Sequence, residues 1–228
     1  MVRPSQHRSP AKGFMPEIVP VKPDLRLEAA LIEKLNRGEG DLVKITVELA
    51  LMCSRTGRPR TAIPHLERLA DALPDSGTRS DLRLKCGQLM EQDRDFDSAK
   101  VHYELGLADA AISIGTRYLL HNNLGFCLNE LGCHKEAKAH CRKAIRISRD
   151  QHNAYKNLAI ALENLNDWES AAYNFAVAAR RAPSDRRALM HLNILLAAHP
   201  EVYETVDDLR PWHDKLLRRD GKLLERLN

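Results

Sequence analysis

Four copies of one short turn segment recur along the chain, and this repetition constrains the fold more than any other feature. Each copy starts with a turn residue, continues with a ring or a proline and two mostly polar residues, and ends in alanine. The copies span residues 57–62, 94–99, 132–137 and 166–171, so that their final alanines lie 37, 38 and 34 residues apart. A period of this length predicts a repeat protein in which each unit packs on its neighbours.

Small and apolar residues recur in step with these alanines. Two such residues stand 12 and 13 positions before each alanine, and one apolar or aromatic residue stands four positions after it. The members are Leu49-Ala50, Cys86-Gly87, Leu124-Gly125 and Leu158-Ala159 before the alanines, and Leu66, Tyr103, Cys141 and Phe175 after them. Residues four apart share a helix face, and small residues let helix backbones approach closely. The pattern therefore predicts helix pairs packed through small residues.

These positions resemble the tetratricopeptide repeat family, whose unit is a helix–turn–helix of about 34 residues. The resemblance implies an all-α fold, a right-handed α-solenoid of antiparallel helix pairs. Residues 41–199 would hold four repeats, at about 43–76, 80–113, 118–151 and 152–185, and one following helix. The alanine spacings of 37 and 38 residues are longer than the family's unit. We expect their extra residues near Asp75–Thr78 and in a longer second helix through Leu105–Thr116.

The flanks of the repeats carry their own patterns. Residues 1–23 hold five prolines and no helical periodicity, which predicts a flexible basic tail. Residues 24–40 read as a lone helix and loop, with Asp24 as N-cap. Residues 200–228 predict a capping helix from about Pro211 to Leu227, because a terminal repeat leaves one face without a neighbour. The alternatives are that this helix enters the concave groove expected of such a repeat stack, or that it forms a dimer contact.

Composition disfavours several classes of protein. The net charge of +4 comes from 35 basic and 31 acidic residues, too even a balance to predict nucleic-acid binding. No apolar run approaches the roughly 20 residues that cross a membrane, and the N-terminus lacks an apolar secretory core. Five cysteines do not pair into a secreted framework, so we expect reduced thiols and a cytoplasmic location. A transit peptide in the first sixteen residues is the alternative, which three prolines there oppose.

No catalytic or nucleotide-binding motif occurs in the sequence, so we expect no enzyme activity and no cofactor. The one suggestive cluster joins Cys133-His134 to His140-Cys141, and thiolate with imidazole could bind zinc. Cys141 nevertheless falls on a repeat-core position, where a free thiol acts as a small hydrophobe, so we expect no metal. The acidic stretch from Glu91 to Asp97 predicts a solvated turn between two helices.

The family resemblance also implies a concave groove lined by the first helix of each pair. Asparagine amides there could pair with an extended peptide backbone, apolar side chains could cover its side chains, and cations could bind an acidic group. The predicted groove residues are Asn122, Asn123, Phe126, Asn153, Lys156, Asn157, Ile160, Arg187, Met190 and His191. The placement of Asn123 and Asn157 resembles the asparagine ladder of O-linked N-acetylglucosamine transferases.

These patterns predict a non-enzymatic adaptor or scaffold whose groove binds an extended or helical segment of a protein or peptide partner. One alternative is a self-assembling scaffold that stacks into homo-oligomers. Another is a co-chaperone-like module that grips an acidic C-terminal tail, although the matching positions lack most of the required cations. A third is the substrate-presenting part of a larger enzyme.

Overall fold

A computed structural model describes residues 24–225, with side chains up to residue 221. The predicted tail, residues 1–23, and the last three residues lie outside the described part. Between residues 24 and 225 the chain forms twelve α-helices and no strand. The helices are α1 Leu25–Arg37, α2 Leu42–Arg55, α3 Ile63–Ala72, α4 Ser76–Gln92, α5 Phe96–Ala108, α6 Ile114–Glu130, α7 His134–Ile147, α8 His152–Asn164, α9 Trp168–Arg181, α10 Arg187–Ala198, α11 Val202–Thr205 and α12 Leu209–Glu225. A 3-10 turn, Pro59–Thr61, precedes α3.

The helices pack in consecutive pairs, α2 with α3, α4 with α5, α6 with α7, and α8 with α9. Each pair also packs on the next, so that the hydrophobic core runs the length of the stack. The first helices of neighbouring pairs pack directly on one another, α2 on α4, α4 on α6 and α6 on α8. The predicted all-α solenoid of antiparallel helix pairs is confirmed.

The recurring turn segments have one backbone structure. Their first residues, Gly57, Arg94, Gly132 and Asn166, all adopt positive φ angles of 59° to 76°. In each turn the amide of the following residue donates to the carbonyl five residues earlier, as in Arg58 N to Cys53 O at 2.8 Å. This Schellman arrangement satisfies carbonyls that the helix end leaves without partners. The repeated turn segments are therefore repeated helix C-caps.

The repeat alanines lie where the helices approach most closely. Ala62, Ala99, Ala137 and Ala171 are each 0% exposed. Gly87 shows how tight the contact is, since a methyl group added there would lie only 2.3 Å from the ring of Tyr103. Small residues thus set the distance between helices, as the sequence pattern predicts.

The longer spacings have two origins, of which only the extra residues near Asp75–Thr78 lie where predicted, at the start of α4. The second helix α5 ends at Ala108 and holds 13 residues, whereas the first helices α4 and α6 each hold 17. Asp75 starts α4 early, because its carboxylate accepts from the amides of Gly77 and Thr78. Ser113 caps α6 in the same way. The extra residues therefore lengthen first helices, and the expected longer second helix through Leu105–Thr116 is wrong.

The N-terminal helix α1 packs on α2, with Leu31 and Leu35 in the core of the first pair. Glu28 is only 7% exposed and accepts two hydrogen bonds from the guanidinium of Arg58, in the turn between α2 and α3. A buried carboxylate requires such a partner. This ion pair fixes α1 on the first repeat.

The C-terminal helices α11 and α12 pack on α9 at the far end of the stack. Leu216 of α12 is buried in the core cluster of α9 and α10. The guanidinium of Arg180 lies 4.4 Å from the ring centre of Trp212, and Arg186 forms an ion pair with Asp220 at 2.6 Å. α12 therefore lies against the outer helix α9. None of the helices in the described part is long and apolar enough to cross a membrane.

Candidate functional site

The predicted groove residues divide into two groups by exposure. Asn122 and Asn157 are buried at 8% and 4% exposure. The other eight keep accessible surface on the first helices: Asn123 and Phe126 on α6, Asn153, Lys156 and Ile160 on α8, and Arg187, Met190 and His191 on α10. We call the surface formed by these eight residues the inner groove.

The two buried asparagines bond to each other between helices. The side-chain amide of Asn157 donates to Asn122 Oδ1 at 3.2 Å and to Asn122 O at 3.4 Å. Asn129 Nδ2 donates in turn to the backbone carbonyl of Asn157 at 2.8 Å. These bonds tie α6 to α8. Their burial corrects the expectation that Asn122 and Asn157 offer amide groups to a ligand, because a buried amide already paired within the protein is not free to bind.

Replacing Asn157 with alanine is therefore expected to destabilise the fold. The change leaves Asn122 Oδ1 buried without a donor, which costs about 1–2 kcal/mol. Urea denaturation of the variant measures this loss. Asn153→Ala, on the same helix and partly exposed, is the matched control and should change stability by less than about 0.5 kcal/mol. Equal stability of Asn157→Ala and wild type would contradict the structural role.

The hydrogen-bond chain continues to a carboxyl group in the preceding repeat. Asn122 donates to Asn123 Oδ1 at 3.0 Å, and Asn123 lies 3.4 Å from the hydroxyl of Tyr103. That hydroxyl donates to Glu91 Oε1 at 2.8 Å, and the thiol of Cys127 lies 3.5 Å from the same oxygen. Polar groups from four helices, α4, α5, α6 and α8, thus form one connected network.

Glu91 carries a strongly shifted pKa that the sequence pattern did not predict. It lies in the last turn of α4, and burial raises the pKa of its carboxyl group to about 7, although the hydrogen bonds from Tyr103 and Cys127 oppose the rise. The expectation that Glu91 belongs to a solvated turn is wrong. The partners of Glu91, Tyr103 of α5 and Cys127 of α6, come from other helices, so the repeat pattern did not identify them.

Four of the five cysteines lie in the core. Cys53, Cys86, Cys127 and Cys141 are each 0% exposed, and burial raises the pKa of the Cys86 and Cys141 thiols to about 12. Cys133 is partly exposed. Within residues 24–221 no three His, Cys, Asp or Glu side chains come close enough to hold a metal ion.

The end of the inner groove between α8 and α10 is cationic. Burial, together with the nearby Arg187, lowers the pKa of the Lys156 ammonium to about 8, although Asp185 opposes the shift. Among the described carboxylates, Asp185 bonds instead to Arg187 at 2.7 Å and to His152 at 3.3 Å. Lys156 itself forms no ion pair with any described side chain. A desolvated ammonium without a partner is costly, so a ligand carboxylate would gain by binding here.

Apolar and aromatic surface adjoins this cation. Met190 and Ile194 on α10 are 52% and 58% exposed, far more than most large apolar side chains of the fold. His191, next to Met190, stacks on Phe175 with ring centres 5.1 Å apart. Burial lowers the pKa of His191, and Lys156 adds to this, so His191 is neutral at pH 7. An anchored imidazole, an ammonium and exposed aliphatic groups therefore share one end of the groove.

Comparison with known proteins supports the fold. No protein-family model matches the sequence, and no curated protein matches it. Among solved structures, a MamA double mutant matches with a TM-score of 0.62 at 16% identity, covering 83% of this chain and 98% of that one. Residues 41 to the end of MamA from Desulfovibrio magneticus RS-1 match with a TM-score of 0.59 at 16% identity, covering 82% and 95%.

The description of a third similar structure names it as a TPR protein, that is, a tetratricopeptide-repeat protein. YrrB, described as a TPR protein with an unusual peptide-binding site, matches with a TM-score of 0.56 at 17% identity, covering 85% of this chain and 99% of that one. Identities this low establish a shared fold and nothing finer. With four in-register repeats, four turns of one backbone structure and these structural likenesses, the chain has the fold of tetratricopeptide-repeat proteins.

Proposed function

We propose that the chain is a protein-interaction adaptor or scaffold whose inner groove binds a protein segment ending in, or containing, an acidic group beside an apolar residue. The observation that supports this most is the Lys156 ammonium, which is largely desolvated and forms no ion pair within 4 Å with a described side chain, since the nearby carboxylate of Asp185 is bonded to Arg187 and His152. The carboxylate of the segment would bind Lys156, and its apolar neighbour would cover Met190 and Ile194.

The groove also has adaptable polar groups for a peptide backbone. Asn123 and Asn153 are partly exposed on α6 and α8, and Phe126 and Ile160 lie on the same helices. An extended chain needs donors and acceptors at intervals, with apolar contacts between them. The peptide-binding site named for YrrB is consistent with a peptide as the class of ligand. The co-chaperone-like alternative is weaker, because it would use the amide of Asn157, which already donates to Asn122.

Lys156→Met tests the proposal, because it removes the charge and keeps the aliphatic stem. Fluorescence polarisation would compare two labelled decapeptide pools, one with an apolar residue before a C-terminal Asp or Glu, the other amidated and carrying Asn or Gln there. The wild type should prefer the acidic pool, and Lys156→Met should weaken that binding about tenfold. Lys44→Met, an exposed lysine on the first helix of the first pair, is the matched control.

The same assay has a pH signature. In the protein without ligand the pKa of Lys156 is about 8, so the ammonium group loses its proton as pH rises from 7 towards 9.5. The acidic pool should therefore bind progressively less well over this range. Lys156→Met should show no such decline. The proposal fails if both pools bind equally, or if the Lys156→Met and Lys44→Met variants bind alike.

A further inference from the structure

A second cavity lies outside the inner groove, between α5, α6 and α7. Its volume is about 410 Å³, within the range of small-ligand sites. Leu107, Ile112 and Leu124 give it an apolar floor. Because it shares no residue with the inner groove and is lined partly by the second helices α5 and α7, we call it the outer pocket.

The polar part of the outer pocket is mostly cationic. Arg117 and His121 of α6 line it together with His140 and Lys143 of α7. Neither Arg117 nor Lys143 forms an ion pair with a described carboxylate. The one acidic residue in the lining, Glu104 of α5, lies 3.9 Å from Lys100 and is therefore already paired.

The two histidines form a close pair at the centre of this cluster. Their Nδ1 atoms lie 3.1 Å apart, and their rings are tilted by 55°. Two imidazoles at this distance share one proton at most, because two positive rings would repel. Each ring is partly exposed towards the pocket.

The charges around the pair favour a bound anion. The pKa of His121 is lowered to about 4 by burial first, and then by His140, Lys143, Arg117 and Arg146. The pKa of His140 is lowered by burial and Lys143, and only Glu136 opposes this. Charged groups from α6 and α7 thus leave a positive potential at the histidines, while Glu104 from α5 is paired with Lys100.

We propose that the outer pocket binds a phosphate monoester carrying a small apolar group. The dianion would lie between Arg117 and Lys143 and accept a hydrogen bond from the histidine pair, while the apolar group covers Leu107 and Ile112. A dianion suits two neighbouring cations better than a monoanion does. This site is independent of the inner groove and of its peptide ligand.

Nuclear magnetic resonance of the full chain with labelled histidines tests this site, with phenyl phosphate as the probe. Phenyl phosphate should shift the resonances of His121 and His140 saturably. Inorganic phosphate, which lacks the apolar group, and benzyl alcohol, which lacks the charge, should bind more weakly. Because the bound dianion favours protonated imidazole, the pKa of His121 should be higher with saturating phenyl phosphate than without it.

The matched variants separate a specific site from general charge attraction. Arg117→Gln with Lys143→Gln should weaken phenyl phosphate at least about tenfold. Lys44→Gln with Arg55→Gln removes the same charge from exposed positions of α2 and should leave the affinity unchanged. Absence of shifts at both histidines, equal binding of benzyl alcohol, or equal weakening in the two double variants would overturn the proposal.

Discussion

Gly87→Ala is expected to destabilise the fold by roughly 2 kcal/mol, although alanine is the better helix former. The added Cβ would lie 2.3, 2.6 and 2.8 Å from three ring atoms of Tyr103. Tyr103 is 0% exposed, and its hydroxyl is bonded to Glu91, so the ring cannot move aside. Overpacking of this kind costs about 1–3 kcal/mol or more, which outweighs the gain of about 1 kcal/mol in helix propensity. Urea denaturation measures the difference.

Two further variants show whether the clash itself is responsible. Gly221→Ala lies in α12 with nothing within 4 Å of the added methyl group, so it should be neutral or stabilising by up to about 1 kcal/mol. Tyr103→Leu removes the ring, and its combination with Gly87→Ala should lose less stability than the sum of the single losses. Strict additivity of the two changes would contradict the proposed contact between α4 and α5.

Glu91→Gln is expected to stabilise the protein by roughly 2–3 kcal/mol at pH 8 and to change little at pH 4.5. The pKa of Glu91 is about 7 in the folded state, against an ordinary value of 4.5. The folded state therefore holds the proton more tightly than the unfolded state between these values. Stability falls as pH rises through that range, and the whole loss is present above pH 7. Glutamine keeps an acceptor for Tyr103 and never ionises.

Denaturation of both proteins at pH 4.5, 6 and 8 measures this difference. The comparison with Gln isolates Glu91, because every other titrating group is common to the two proteins. Glu48→Gln, which changes an exposed carboxylate on α2, is the control and should show little dependence on pH. A gain from Glu91→Gln that is the same at every pH would mean that the Glu91 carboxyl is not the group whose burial opposes ionisation.

The sequence alone was sufficient for the repeat fold because the information is local and repeated. Each unit must place a small residue where two helix backbones meet, as at Ala99 and Ala137. It must also place a residue that tolerates a positive φ angle where a helix ends, as at Gly132. These requirements return at nearly constant spacing. Helix pairs packed in a stack follow from them without knowledge of any distant contact.

The tertiary structure decided which polar residues are available to a ligand. Asn123 and Asn157 stand in equivalent repeat positions. The amide of Asn157 is buried and donates to Asn122, whereas Asn123 keeps accessible surface. The carboxyl group of Glu91 is desolvated because Tyr103 and Cys127, from two other helices, pack against it. Periodicity specifies the face of a helix on which a side chain lies. Its hydrogen-bond partner and its desolvation depend on neighbouring helices, and only their packing determines those.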